Sequence, residues 1–487
     1  MNYLAVTSII YIFANGKPQL DTFMKQFFKY VFASFVGTLL FSIIMGCFAF
    51  ITIIGMIAST QTTNEIKDNS VLVLNLSGQL TERSEDNNII SQLQGKIGTI
   101  GLDNLLSAID KAKNNKNIKG IYIEAGAFTA DSYASLQAVR NALVDFKKAG
   151  KWIITYADIY TQGTYYLSSS ANKVYLNPQG QIDWHGLSSQ PVFVKDLLKK
   201  FGVKMQVMKV GTYKSATEMF TGDKMSDANR EQTSAYLNSI WGNITKDVSA
   251  TRNISVSSLN AYADSMITFA APTDYLKYKL VDGLLYTDQV KAVVKKQLGL
   301  DKDDDINQVS IDDMQGVEDE ENDNSDNQIA VYYAYGDIVD GAAGGLFAQG
   351  HTIDAQVVCK DLEKLTNDKD VKAVVLRINS GGGSAYASEQ IWHQIMELKK
   401  QKPVVVSMGG MAASGAYYIS APSNWIVAEP TTLTGSIGIF GMFPDFSGLL
   451  TEKLGIKFDE VKTNKFSGFG TQSRPFSEEE MAYLNQY

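Results

Sequence analysis

A serine among small residues directly after an apolar strand is placed to attack an electrophile. Gly410-Met411-Ala412-Ala413-Ser414-Gly415-Ala416-Tyr417-Tyr418 follows the apolar run from Pro403 to Ser407. The spacing predicts Ser414 at the N-terminus of a helix, where unpaired N–H groups and the helix dipole can hold a developing negative charge. A hydroxyl also needs a base. The chain has three histidines, His185, His351 and His393, and none has a Ser or Cys partner in a recognisable motif. A more distinctive group is Lys214, in Val210-Gly211-Thr212-Tyr213-Lys214-Ser215-Ala216. A lysine amine is a base only when neutral. Its ordinary pKa of about 10.4 falls by several units in a dry site, and it can then activate a hydroxyl. Taken singly, small residues also serve helix–sheet packing, a lone lysine is ordinarily solvated, and a Ser/His/Asp arrangement stays open.

The rest of the chain ties these two residues together. Residues 119–137 run parallel to residues 372–390, with Tyr133/Tyr386, Ala134/Ala387 and Ser135/Ser388 in register. Further on, Lys151 matches Lys402, Tyr166 matches Tyr417 and Gly202 matches Gly455. An internal duplication explains this and must be recognised before domains are drawn. The copies differ in chemistry. Gly163 stands opposite Ser414, and Phe128, Thr129 and Ala130 stand opposite Gly381, Gly382 and Gly383. Lys214 falls near Ser467 of the second copy. Each half carries what the other lacks, so a site using both would form where the repeats meet.

Strands alternating with helices predict an α/β fold of two tandem repeats, 70–300 and 328–487. Val71–Leu76 and Ile329–Ala334 open them. Helices over 104–113 and 355–366 follow, then buried strands over 118–124 and 371–378. The second copy stops part-way through the helix matching 226–249, so it reads as incomplete at its C-terminus. Between the repeats, residues 301–327 hold twelve acids and one lysine, a local balance of minus 11 against minus 8 for the whole chain. Without EF-hand spacing, this reads as a disordered acidic linker rather than a calcium site. Ahead of both repeats, residues 30–59 are uncharged and apolar, long enough to span a bilayer with tilt. Lys25 and Lys29 precede this anchor and Glu65 is the first charge after it, which keeps residues 1–29 cytoplasmic and the remainder across the membrane. Met24-Lys25-Gln26-Phe27-Phe28-Lys29 resembles the start of a signal anchor, so translation is expected to begin at Met24 and residues 1–23 to be untranslated. No basic stripe with interleaved aromatics suggests nucleic acid. Cys47 and Cys359 supply neither a disulfide framework nor a metal cluster, and no cofactor is expected. The triple glycine lacks the Lys-Ser/Thr of a phosphate-binding P-loop.

The chain resembles the long, duplicated form of the signal peptide peptidase A family, membrane-bound serine peptidases with a ClpP/crotonase-like fold. The resemblance rests on G-T-Y-K-S-A at 211–216, R-I-N-S-G-G-G-S at 377–384, M-A-A-S-G-A-Y-Y at 411–418 and T-L-T-G-S-I-G-I-F-G at 432–441. It implies Ser414 as nucleophile, Lys214 as general base, Ser436 as the residue orienting the lysine, and an oxyanion hole from the Gly382/Gly383 loop and Gly415. It also implies signal peptides and unfolded polypeptides as substrates, a tetrameric homo-oligomer, and a single-pass protein of the bacterial inner membrane with its catalytic part on the periplasmic side. The family usually has proline where this chain has Gly381, so a looser loop is expected. Two rival readings are a crotonase-like acyl-CoA enzyme, which shares the fold and a glycine loop, and a non-catalytic membrane scaffold.

Overall fold

The computed structural model describes residues 17–59, 65–84, 98–317, 327–341 and 351–487. It divides into two units, Met1–Glu65 and Ile66–Tyr487. In the first, α1 (Lys17–Ser59) is a single helix of 43 residues. Its segment Lys25–Phe48 has a mean hydropathy of 2.2 and is long and apolar enough to cross a membrane. The start expected at Met24 concerns residues that, from 1 to 16, lie outside the described ones.

The second unit holds both repeats. The first builds a parallel sheet from β1 (Ser70–Thr81), β2 (Thr99–Gly101), β3 (Ile118–Ala130), β4 (Trp152–Tyr160) and β5 (Lys173–Ile182), extended by β7 (Gly283–Leu284) and β8 (Asn307–Val309). Leu72, Leu74, Leu76 and Leu80 of β1 are all but fully buried, each contributing about 1.5–3 kcal/mol by leaving water. The helix Leu102–Asn114 turns Leu105, Ala108, Ile109 and Ala112 onto this core, the stripe that 3.6-residue periodicity dictates. The second repeat repeats the plan with β9 (Gln328–Tyr335), β12 (Val371–Ser380), β13 (Val404–Ala413), β14 (Trp425–Val427) and β15 (Leu433–Gly435), all parallel, while β10 (Asp337–Val339) and β11 (Thr352–Asp354) form a separate parallel pair. The helix Ala355–Asn367 turns Ala355, Val358 and Leu362 inward. The duplication extends to side-chain roles. Lys151 donates to the carbonyls of Ala112 and Asn115, both at 2.6 Å, and Lys402 donates to those of Leu365 and Asp368. Each lysine thus satisfies orphan carbonyls at the C-terminal end of the first helix of its repeat, Leu102–Asn114 or Ala355–Asn367.

The region expected to be a disordered linker over 301–327 is ordered through its first part. Asn307–Val309 pairs with Ser70–Leu72 at the outer edge of β1, and the short helix Ile311–Gln315 packs on Leu102–Asn114. Val309 and Met314 are 5% and 0% exposed. Counting charge concealed these few apolar side chains, which give the acidic stretch one face to bury. Residues 318–326 of the expected linker lie outside the described ones.

One strand of each repeat leaves its own sheet to join the two halves. β6 (Lys204–Lys209) pairs antiparallel with β16 (Phe440–Asp445), Lys209 facing Phe440 and Lys204 facing Asp445. Gly202 precedes β6 with φ 74°, and its carbonyl accepts from Leu449 N–H at 2.8 Å. A Cβ there would lie 2.5 Å from the Leu449 nitrogen, so the approach requires glycine. The pairing also sets the segment after β6 beside the segment before β16.

Candidate active site

Lys214 follows β6 and Ser436 precedes β16, so the cross-repeat ribbon carries both to the end of β13. There Ser414 sits between β13 and the helix Gly415–Ser420. Its backbone is left-handed, φ 53° and ψ −118°, a conformation costing a non-glycine residue about 1–3 kcal/mol. Two bonds hold it: Ser414 N–H donates to Gly435 O at 2.9 Å, and Tyr418 N–H donates to Ser414 O at 2.9 Å. The turn sets Ser414 on the wall of a cavity that Lys214 also lines and leaves the Gly415 amide at the helix start.

Lys214 and Ser414, 200 residues apart in sequence, meet at 2.9 Å between Nζ and Oγ. Lys214 also donates to Ser436 O at 2.7 Å and to Ser436 Oγ at 3.1 Å. The side chain is 3% exposed, and burial is what holds its pKa below the ordinary lysine value. No carboxylate opposes that shift. The three contacts account for all three N–H directions of an ammonium. On losing a proton, the amine can keep both bonds to Ser436 and turn its lone pair to the Ser414 hydroxyl. Ser436 itself has φ 50°, which brings its carbonyl and hydroxyl to bear on one nitrogen.

Two backbone donors lie beside the Ser414 hydroxyl. The amides of Gly383 and Gly415 have no protein acceptor among the described residues, and a Cβ on Gly415 would sit 3.3 Å from the Gly383 nitrogen. The expectation that Gly382 shares this role is corrected by its amide, which donates to Ser380 Oγ at 3.0 Å. Gly382 serves the loop instead. It has φ 97°, and a Cβ on it would stand 2.6 Å from Gly415 N and 2.9 Å from Ser414 Cβ. Nor is the loop loosened by Gly381. Ile338 N–H donates to Gly382 O at 3.0 Å and Ser384 N–H donates to Ile338 O at 2.9 Å, tying it on both sides.

A cavity of about 790 Å³ opens from these groups, lined chiefly by Ala385, Tyr417, Tyr418, Ile437, Ile439 and Phe440. None of the three histidines lines it. His185 pairs with Asp183 at 2.7 Å, and His351 stacks on Tyr335 with ring centroids 3.8 Å apart. In the first repeat, Gly163 stands where Ser414 stands in the second, and a Cβ there would lie 3.2 Å from Leu136 Cδ1; the adjacent Gln162 donates to Tyr133 Oη at 2.9 Å and accepts from Gly186 N–H at 3.0 Å. Sequence reading missed the roles of Ser380 and Gly435, although both fall inside the motifs it singled out. Among the described residues no group of three or more potential metal ligands is found.

The chain is similar to known proteins over most of its length. The model of peptidase family S49 matches residues 145–301 and 396–487, and that of Clp protease matches residues 344–425. Protease 4 of Salmonella typhi is 36% identical, covering 91% of this chain and 73% of that protein. Protease 4 of Haemophilus influenzae is 35% identical over 87% of this chain and 71% of its own length. The chloroplastic serine protease SPPA of Arabidopsis thaliana is 29% identical over 85% and 60% respectively. The chain belongs to peptidase family S49 and is a serine-type peptidase.

Proposed function

We propose that the chain is a membrane-anchored endopeptidase in which Lys214 and Ser414 act as base and nucleophile on polypeptides, cleaved signal peptides first among them. The observation that carries this reading is the 2.9 Å contact between a buried amine and a hydroxyl held in a strained turn. Neutral Lys214 takes the Ser414 proton as Oγ bonds to the substrate carbonyl carbon. The carbonyl oxygen becomes an oxyanion that accepts from the Gly383 and Gly415 amides. As the C–N bond breaks, the Lys214 ammonium returns its proton to the leaving amine. Water then enters, gives a proton to Lys214 and attacks the acyl-enzyme, releasing the acid and restoring Ser414. Ser436 orients the amine throughout, its carbonyl and hydroxyl taking the two protons that Lys214 keeps.

The apolar cavity lining suits the hydrophobic core of a signal peptide, which is what the family resemblance implies as substrate. The helix Lys17–Ser59 is compatible with an anchor, and we place the catalytic unit on the periplasmic side of an inner membrane, with assembly into homo-oligomers. Hydrolysis of a signal-peptide substrate by the full chain, beside Ser414→Ala and Lys214→Ala, tests the reading. Both variants are expected to fold and to lose turnover. Wild-type rates in either would remove that residue from the chemistry.

A further inference from the structure

We infer that the first repeat supplies more than the lysine: Glu82, with Asp131, is a positioning residue that orients the Asn379 amide and so holds the backbone bearing Ser414 and Gly383. This rests on the peptidase reading above. Glu82 directly follows β1, and its side chain is 3% exposed, yet the bonds it makes reach across to the second repeat. Arg377 Nε donates to Oε1 at 2.6 Å, and Arg377 Nη2 and Asn379 Nδ2 donate to Oε2 at 3.3 and 3.1 Å. Asn379 Nδ2 also donates to Asp131 Oδ2 at 2.8 Å. At its other end, Asn379 Oδ1 accepts from Met411 N–H at 3.1 Å.

That last bond lies at a break in the ladder. β12 and β13 run in register at Arg377/Ser407 and Ile378/Met408, then jump to Ser380/Ala412. Two extra residues on β13 form a bulge, and Asn379 accepts the N–H that the bulge takes out of the ladder. Ser414 lies three residues beyond Met411, and Gly383 four beyond Asn379. The first repeat presses on the bulge: a Cβ on Gly409 would stand 3.1 Å from Glu82 Oε2, and one on Gly410 2.3 Å from Ser132 Oγ.

An asparagine amide is nearly the same shape either way round, so its partners decide its orientation. Reversed, its NH2 would face the Met411 N–H and its oxygen would face two carboxylates. Ionised carboxylates only accept, and the Arg377 fork holds Glu82 in place. Glu82 and Asp131 therefore keep the oxygen of Asn379 on the nucleophile strand. Neither lines the cavity.

The test uses the full chain with Glu82→Gln and Asp131→Asn, measuring kcat and KM on a peptide amide. It adds the pH profile and the affinity of a peptide boronate, which forms a tetrahedral adduct on serine. Glu82→Gln is expected to lower kcat about tenfold, less than the ~10²–10³ of losing an oxyanion donor outright. KM should stay within about twofold, boronate affinity should fall in step with kcat/KM, and the ascending pH limb should not move, since Lys214 is untouched. Asp131→Asn, altering an exposed carboxylate, should fold normally and lower kcat about threefold, the scale of one hydrogen bond; it decides the matter should Glu82→Gln fail to fold. Unchanged kcat, or a loss confined to KM with boronate affinity intact, overturns the inference. An inactive wild type, or an active Ser414→Ala, would overturn the peptidase reading itself; an active wild type with indifferent variants overturns only the role of Glu82.

Discussion

Lys214→Met tests catalysis and proton linkage together. The Lys214 amine is buried without a carboxylate partner, and its pKa is lowered by burial, whereas in the unfolded chain it returns to about 10.4. Between those two values the unfolded state binds more protons than the native state, so wild-type stability rises with pH across that window. Below the native value the full cost of burying the charge is present. Methionine has similar length and does not titrate. The melting temperature of the variant minus that of wild type should therefore be largest below the native pKa of Lys214 and shrink as pH approaches 10. Linkage sets a ceiling of about 1.4 kcal/mol per pH unit within the window, and solvent access through the 790 Å³ cavity narrows that window. Lys151, whose pKa burial pushes down to about 8, bends both curves alike and cancels in the difference. Loss of a general base costs about 10²–10⁴ in rate, or about 3–5 kcal/mol in activation free energy. Melting curves from pH 6 to 10 and peptide hydrolysis supply the readings. A flat difference in melting temperature would show that Lys214 titrates alike in both states. Hydrolysis within tenfold of wild type would show that it is not the base.

For wild type, kcat/KM should rise with pH along one limb lying below the ordinary lysine range, because only the neutral amine accepts the Ser414 proton; a rate independent of pH from 6 to 10 would contradict this. Ser436→Ala keeps the carbonyl contact but loses the hydroxyl at 3.1 Å, so kcat should fall about tenfold with folding intact, as loss of one hydrogen bond to a charged group implies; unchanged kcat would deny Ser436 an orienting role. Gly381→Ala meets only Met411 Sδ at 3.4 Å and should raise stability by about 0.4–1 kcal/mol through the unfolded chain. Gly382→Ala, with φ 97° and Gly415 N at 2.6 Å, should abolish turnover. Melting curves and hydrolysis of the two alanine variants would separate those outcomes.

That Ser414 and Lys214 meet was legible because the duplication acts as an internal control: opposite Ser414 stands glycine, and opposite the glycine loop stand Phe128, Thr129 and Ala130. The α/β architecture of two repeats was legible from the alternation of strands with helices. What stayed hidden depends on which hydrogen bonds are already taken. Nothing local to Gly382 reveals that Ser380 occupies its amide, leaving Gly383 and Gly415 as the pair of donors. Asn379 stood inside a motif, but its partners Glu82 and Asp131 lie some 250–300 residues away in a half that retains no nucleophile. The β6–β16 pairing was invisible because it joins non-equivalent places in the two repeats: by the Gly202/Gly455 match the counterpart of β6 is 457–462, which forms no strand. Over 301–317, net charge outweighed the few apolar residues that decide the fold.

The long sequence separation of amine and hydroxyl has a consequence during synthesis. The ribosome releases Lys214 well before Ser414 is made, and the β16 strand that locks the lysine in place emerges later still. With Lys214 as base and Ser414 as nucleophile, as proposed, a growing or interrupted polypeptide would hold no working cutter until both halves dock. On that reading, division of labour between the repeats acts as a built-in safety catch.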